Sequence, residues 1–175
     1  MKIILNADQI EEAIGDMTAR ILADLPSKTD IAVIGLRSRG VVIAQRIADG
    51  IAKKTKKEVP HGSLDITLYR DDINDPHGDG QPTVRSTEIP FDIDDMVIIL
   101  VDDVLYTGRS IRAAMDALID LGRPRAIRLA VLVDRGGREL PIQPDYCGCT
   151  VDVSTKNSVQ VSLEESDEKE QVVVE

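Results

Sequence analysis

One segment of the sequence combines residue types that can hold a phosphate and a sugar side by side. In VIILVDDVLYTGRS, residues 97–110, an apolar run ends in Asp102 and Asp103 and leads into TGRS, residues 107–110. The turn and the helix start offer unpaired backbone N–H groups, hydroxyls and a guanidinium, which suit a phosphate monoester. The two carboxylates can accept hydrogen bonds from sugar hydroxyls or hold the waters of Mg²⁺. Together these groups describe a site for a ribose 5-phosphate.

The same residues also have a purely structural interpretation. An isolated Asp pair most often forms a turn, and a Ser at a helix start most often acts as a cap. Here the pair ends an apolar run and TGRS follows in order, which favours the phosphate site. Two other phosphate-binding patterns are absent, because the sequence has neither G-x-x-x-x-G-K-[ST] nor G-x-G-x-x-G at a strand end.

Apolar periodicity predicts the elements that position this site. It predicts strands at residues 31–36, 63–69, 96–101, 126–133 and 158–163 and helices at 8–25, 41–54 and 109–122. Asp8, with Glu11 three residues later, is the expected N-cap of the first helix. Strands that alternate with helices predict an α/β fold with a mainly parallel sheet, which binds ligands beyond the carboxyl ends of its strands. The polar residues 70–90 are expected to form a long loop or hairpin, and loops of that length in compact domains are usually functional or disordered.

Composition narrows the class of protein. The 175 residues are 42% hydrophobic with a net charge of −10, which suits one globular domain and argues against a broad nucleic-acid surface. No apolar run reaches the ~18 residues that a membrane span needs. The apolar run at the N-terminus is also too short for a signal peptide. Cys147 and Cys149 are too few for a disulfide framework, so a cytoplasmic protein is expected. We predict one domain over residues 1–163 and an acidic, partly frayed tail over 164–175.

The acid pair and its helix start resemble the phosphoribosyl-pyrophosphate (PRPP) motif of type I phosphoribosyltransferases. The segments GLRSRG at 35–40, SLDITLYRDD at 63–72 and the stretch 101–142 resemble one subfamily, the pyrimidine-operon attenuators with uracil phosphoribosyltransferase activity (PyrR). The resemblance implies the type I phosphoribosyltransferase fold with a small hood, and conversion of uracil and PRPP to UMP and pyrophosphate with Mg²⁺. It also implies a homo-oligomer and binding of a pyrimidine-operon leader RNA.

The resemblance further implies roles for individual residues. The catalytic residues would be Asp102, Asp103, Arg39 and Arg70, with Mg²⁺ held by Asp102 and Asp103 through water. PRPP and UMP would contact Ser38, Arg39, Arg85, Asp102, Asp103, Val104, Leu105, Tyr106, Thr107, Gly108, Arg109 and Ser110. The base-binding hood would comprise Val133, Asp134, Arg135 and Val159, and Arg138 would be a weak RNA contact. Gly40 would let the backbone approach the pyrophosphate.

The sequence departs from the family in its first helix. Where better-known relatives carry Arg, Thr and His on the RNA face, this chain has Glu11, Glu12, Gly15, Asp16 and Ala19. Tyr106 stands where purine-salvage relatives carry an Asp, which makes a purine substrate a poorer fit. Two hypotheses stay open: a uracil phosphoribosyltransferase, and an RNA-binding attenuator that uses the PRPP site as a nucleotide sensor.

Overall fold

The computed structural model describes residues 2–26, 28–70 and 86–175. Its strands are β1 Lys2–Asn6, β2 Ile31–Leu36, β3 His61–Leu64, β4 Val97–Leu105, β5 Ala126–Asp134, β6 Tyr146–Thr150, β7 Val159–Ser162 and β8 Gln171–Val174. Its helices are α1 Ala7–Asp24, α2 Arg39–Thr55, α3 Arg109–Leu121 and the short α4 Glu164–Asp167, with a 3₁₀ turn at Thr67–Tyr69. Within the described ranges, a helix with the length and apolar character of a membrane span is not found.

The main sheet has five parallel strands in the order β3-β2-β4-β5-β6. The apolar runs of β2 and β4 are buried on both faces, as central strands of a parallel sheet must be. Val33 and Ile99 face α1 and α2, whereas Ile34 and Ile98 face α3. The predicted mainly parallel sheet flanked by helices is confirmed.

The chain changes direction across the sheet between β2 and β4. After β2 it crosses to β3 on one side, and after β4 it continues to β5 and β6 on the other. The carboxyl ends of β2 and β4 therefore open a crevice in which α/β proteins bind ligands. Asp102 and Asp103 lie in the last part of β4, at this crevice.

A second sheet joins the two ends of the chain, in the antiparallel order β1-β8-β7. The prediction of a partly frayed tail is wrong, because β8 is the central strand of this sheet. Val172 and Val173 are 0% and 3% exposed, so the apolar QVVV run anchors an otherwise acidic segment in the core. The division into a domain over 1–163 and a tail over 164–175 stays a prediction.

Local details differ from the sequence predictions at several points. Asn6, rather than Asp8, caps α1, since the Asn6 side chain and the Gln9 backbone N–H are 3.0 Å apart and the reciprocal bond is also 3.0 Å. The expected strand over 63–69 ends at Leu64 and gives way to the 3₁₀ turn. The strands β1, β6 and β8 were not predicted, because each has only four or five residues and forms by pairing with another strand.

Candidate functional site

The acid pair lies half-buried at the carboxyl end of β4. Asp102 Oδ1 accepts a hydrogen bond from the Asp103 backbone N–H at 2.9 Å, and Asp103 Oδ1 accepts one from Val104 N–H at 2.9 Å. Burial, followed by the neighbouring charge of Asp103, raises the pKa of Asp102 well above its ordinary value. A cation or a hydrogen-bond donor at this point would favour the ionised form of Asp102.

The donor set fits a Mg²⁺ ion that arrives with a phosphorylated ligand. Two adjacent carboxylates are available, and the described residues form no cluster of three or more His, Cys, Asp or Glu side chains that could hold a metal. Mg²⁺ is commonly bound by one or two carboxylates together with water and substrate phosphates rather than by a complete protein cage. Asp102 and Asp103 are the residues that would hold it.

The phosphate loop follows the acid pair directly. Gly108 caps α3 with φ at +92°, a left-handed conformation that favours glycine. The Thr107 carbonyl accepts hydrogen bonds from the backbone N–H groups of Glu139 and Leu140 at 3.0 and 3.2 Å, which fixes the loop from the far side. The exposed Arg109 pairs with Glu139 at 2.6 Å. The start of α3 thus follows directly after the acid pair, with backbone N–H groups at its first turn and Ser110 exposed there.

A second loop follows β2 on the other side of the crevice. Ser38 is exposed, and its side chain makes no capping bond to α2. Arg39 Nη2 and Nε donate to the two carboxylate oxygens of Asp167 at 2.7 and 3.0 Å. A Cβ on Gly40 would lie 2.6 Å from the Val101 carbonyl oxygen, so this glycine lets α2 pack against β4. The loop and the acid pair are brought together by that close approach.

The long polar segment begins from an anchored turn. Tyr69 donates its hydroxyl hydrogen bond to Asp120 at 2.8 Å, and Arg112 donates to the Tyr69 carbonyl at 2.9 Å. Arg70 follows this turn and is exposed. Arg85 lies outside the described residues, so its expected role stays a prediction. Neither α3 partner, Arg112 or Asp120, can be predicted from the sequence, because no local pattern links them to residue 69.

The hood residues surround Tyr106. The Arg135 guanidinium lies 4.1 Å from the centre of the Tyr106 ring, and Gly137 lies so close to one edge of that ring that an added Cβ would be 2.4 Å from Cε2. Asp134 accepts hydrogen bonds from Gly136 N–H and Arg138, at 2.9 and 2.7 Å. This arrangement fixes the Tyr106 ring at the edge of the crevice.

The other two hood residues have different surroundings. Val133 is fully buried in the core, so only its backbone can face a ligand. Val159 begins β7 in the second sheet and packs against the same core. Tyr106 and residues 133–135 therefore lie close together. Val159 is connected to them only through the core, in which Val133 is buried.

Arg138 is held inside the protein. It donates to the carbonyls of Tyr106 and Ile142 at 2.9 and 2.8 Å and to Asp134 at 2.7 Å, and 13% of its side chain is exposed. Its donors therefore connect the hood to the phosphate loop. This internal role leaves little of the side chain for the RNA phosphate that was predicted as its partner.

Comparison with known proteins points to one family. Residues 1–169 match the family described as phosphoribosyl transferase domain. The Bifunctional protein PyrR of Deinococcus radiodurans is 49% identical over 164 residues, which cover 94% of this chain and 88% of the relative. The Bifunctional protein PyrR of Limosilactobacillus fermentum is 46% identical over 172 residues, which cover 98% of this chain and 96% of the relative.

Solved structures share the fold at much lower identity. The hypoxanthine phosphoribosyltransferase of Trypanosoma cruzi matches with a TM-score of 0.72 at 17% identity, over 99% of this chain and 95% of that one. A hypoxanthine-guanine phosphoribosyltransferase from Bacillus anthracis matches with a TM-score of 0.71 at 16% identity, over 98% and 96%. The likeness shows a common fold and carries no information on the base.

Proposed function

Because this chain belongs to the PyrR family of phosphoribosyltransferases, we propose that it converts uracil and PRPP to UMP and pyrophosphate. The observation that supports this most directly is the acid pair at the crevice, flanked on one side by the phosphate loop and on the other by the loop after β2. PRPP has the same order of groups, with a ribose diol between a 5-phosphate and a pyrophosphate.

The roles of the residues follow from this match of charge and order. Backbone N–H groups of residues 107–110 would bind the 5-phosphate, with the Thr107 and Ser110 hydroxyls. Asp102 and Asp103 would accept hydrogen bonds from the ribose hydroxyls, and Ser38 and Arg39 would face the leaving pyrophosphate. When Mg²⁺ is bound by the acids and the ligand, it supplies positive charge that balances the phosphates. The transition state needs little acid–base assistance, because the pyrophosphate leaves from an oxocarbenium-like carbon.

The hood supports a pyrimidine base. A purine base would need an acidic residue at position 106 to exchange a proton with it. This chain instead has Tyr106, whose ring is held by Arg135 and Gly137. The test is UMP formation with uracil and PRPP, run beside orotate, hypoxanthine and guanine as competing bases. We expect product with uracil only. Turnover of hypoxanthine or guanine at a rate equal to that of uracil would overturn the assignment of the base.

The second proposed function is control of the pyrimidine operon through UMP-dependent binding of a leader RNA. The relatives are named bifunctional, which supports a second role. The surface expected for RNA is unfavourable in this chain, because the substituted positions on α1 (Glu11, Glu12, Gly15, Asp16 and Ala19) are all exposed and none is basic. Phosphate contacts supply much of any RNA affinity, so we propose that RNA binding is weak and that the enzyme activity dominates.

The protein is also proposed to act as a cytoplasmic homo-oligomer. Cys147 and Cys149 are free, and burial raises the pKa of the Cys149 thiol to about 11, which keeps it neutral and suits a packing role. Because the apolar face of α1 is already buried in the core of its own chain, we propose that a second copy contacts other residues. Among the described residues, Leu68, Ile119 and Leu121 are exposed apolar side chains that suit such a contact.

A further inference from the structure

Two arginines on one face of α2 hold the C-terminal segment. Arg39 pairs with Asp167, and Arg46, two helical turns later, pairs with Glu165 and Glu170 at 2.6 Å each. Residues seven positions apart lie on the same side of a helix. The four residues of α4 are therefore fastened along α2, beginning at the loop that is proposed to bind pyrophosphate.

The contact between Arg39 and Asp167 has the geometry of a two-bond fork. Nε and Nη2 of Arg39 donate to separate oxygens of Asp167, which suits the planar guanidinium and restricts its orientation. Asp167 is itself fixed, because its Oδ2 accepts a hydrogen bond from Leu163 N–H at 3.0 Å. Leu163 is fully buried, so the carboxylate is anchored to the core. The hydrogen bond with Asp167 raises the pKa of Arg39 and lowers that of Asp167.

The fork leaves one edge of the guanidinium for a ligand. Nε and one N–H of Nη2 are used by Asp167, and Nη1 has no hydrogen-bond acceptor among the residues that the structure describes. The charge of Asp103 acts on Arg39 from the crevice. Arg39 thus lies between the C-terminal segment and the acid pair, with donors remaining for an anion.

We infer that Asp167 is a positioning residue, which orients Arg39 toward the pyrophosphate group of the substrate. This inference rests on the proposed phosphoribosyl transfer. Asp167 does not touch the reacting atoms and acts only through the guanidinium. A purely structural role is the competing explanation, and it can be separated, because Arg46 fastens the same segment to α2 without any contact to Arg39.

The test compares Asp167→Asn with Glu165→Gln. Both variants remove one carboxylate charge from α4. The asparagine can still accept the Leu163 N–H bond, whereas it loses the charged fork with Arg39. The glutamine loosens the Arg46 contact and leaves Arg39 paired. Asp167→Glu, which keeps the charge, serves as the rescue variant.

Three measurements decide the outcome: calorimetric binding of pyrophosphate in the presence of Mg²⁺, the KM values for PRPP and uracil, and the melting temperature. We expect Asp167→Asn to weaken pyrophosphate binding and raise the KM for PRPP by about tenfold, because the Arg39 side chain must then be ordered when the ligand binds. The KM for uracil should stay unchanged, Glu165→Gln should match the wild type in pyrophosphate binding and in the KM for PRPP, and Asp167→Glu should recover part of the loss.

Several results would overturn the inference. One is that Asp167→Asn binds pyrophosphate as tightly as the wild type or more tightly. Another is that Glu165→Gln loses as much pyrophosphate binding as Asp167→Asn, which would show that the whole C-terminal segment matters rather than the fork. A wild-type protein that makes no UMP would contradict the proposed function. The pyrophosphate calorimetry would then still test the role of Asp167, since it needs neither uracil nor turnover.

Discussion

Replacing Gly40 with Ala should separate the loop after β2 from the acid pair. A Cβ at this position would lie 2.6 Å from the Val101 carbonyl oxygen and 3.2 Å from the Asp102 Cα. Ordinary contact begins at 3.4 Å, so the start of α2 would have to move by about 0.8 Å (3.4 − 2.6 Å). Both atoms belong to the backbone of a central strand, which cannot move aside easily.

The two opposing energies can be compared. Alanine is the better helix former by about 0.5–1 kcal/mol, whereas overpacking a well-packed contact typically costs about 1–3 kcal/mol. The overpacking is the larger effect, and we expect the free energy of unfolding to fall by about 1–2 kcal/mol. The displacement also moves Arg39 relative to Asp102. Because misplacement by about 1 Å can cost 10²-fold, kcat/KM for PRPP should fall by about ten- to a hundredfold.

Urea unfolding and steady-state kinetics on the same preparation provide the assay. Gly15→Ala is the matched control, because Gly15 lies on the exposed face of α1 with nothing within 4 Å of the added Cβ. The control should gain about 0.5–1 kcal/mol of stability and keep the wild-type kinetics. A Gly40→Ala protein as stable and as active as the wild type would refute the reasoning, and so would an equal loss of activity in the control.

Four further results are expected. Asp102→Asn and Asp103→Asn should each lower kcat/KM for PRPP by about tenfold, or ~1.4 kcal/mol, since an amide binds ribose hydroxyls and Mg²⁺ less well; wild-type kinetics in both would contradict this. The ion pairs with Arg46 lower the pKa of Glu165 and Glu170 below the ordinary 4.5. The stability that these ion pairs give the folded protein is therefore complete above pH 4.5 and is lost as the pH falls through the lowered pKa values. In urea unfolding, Arg46→Gln should therefore be less stable than the wild type by about 1 kcal/mol at pH 7, and this difference should shrink as the pH is lowered below 4.5; a constant difference would argue against the ion pairs. Filter binding of a pyrimidine leader hairpin at ~0.15 M salt should be weak, and tight, UMP-enhanced binding would show that a basic surface lies elsewhere. Sedimentation at micromolar concentration should show a dimer or larger species, and a monomer alone would argue against the oligomer.

The parts of the site that were predicted from sequence are those encoded by consecutive residues. The apolar run of β4, the acid pair and the start of α3 occupy one stretch, so local periodicity and turn chemistry were sufficient to place them. The topology rule for parallel sheets then placed this stretch where ligands bind. The loop after β2 was expected beside it only because residues 35–40 resemble the family.

The parts that were missed depend on long-range contacts. The fork between Arg39 and Asp167 joins residues 128 positions apart, and a charged run such as EESDEKE gives no local sign of a specific partner. The strand β8 lies in a segment whose composition predicts a frayed end, because acidic residues surround QVVV. Its burial becomes evident only when β1 and β7, from opposite ends of the chain, supply the pairing edges.

For Gly40, the structure adds a role that the sequence did not indicate. The sequence suggested that it allows the backbone to approach the pyrophosphate. The structure shows that its missing side chain allows α2 to contact β4. The structure therefore adds helix–strand packing as a reason for this glycine, and the approach to the pyrophosphate stays a prediction.

The most direct test of the central claim is the release of pyrophosphate from PRPP on addition of uracil, measured together with UMP. If the acid pair at the end of β4 is the centre of a uracil phosphoribosyltransferase, the wild type should release pyrophosphate and form UMP in equal amounts. The Asp102→Asn, Asp103→Asn double variant should do neither at a comparable rate while it keeps its fold by circular dichroism. Uracil-independent pyrophosphate release, the absence of UMP, or full activity in the folded double variant would contradict the account.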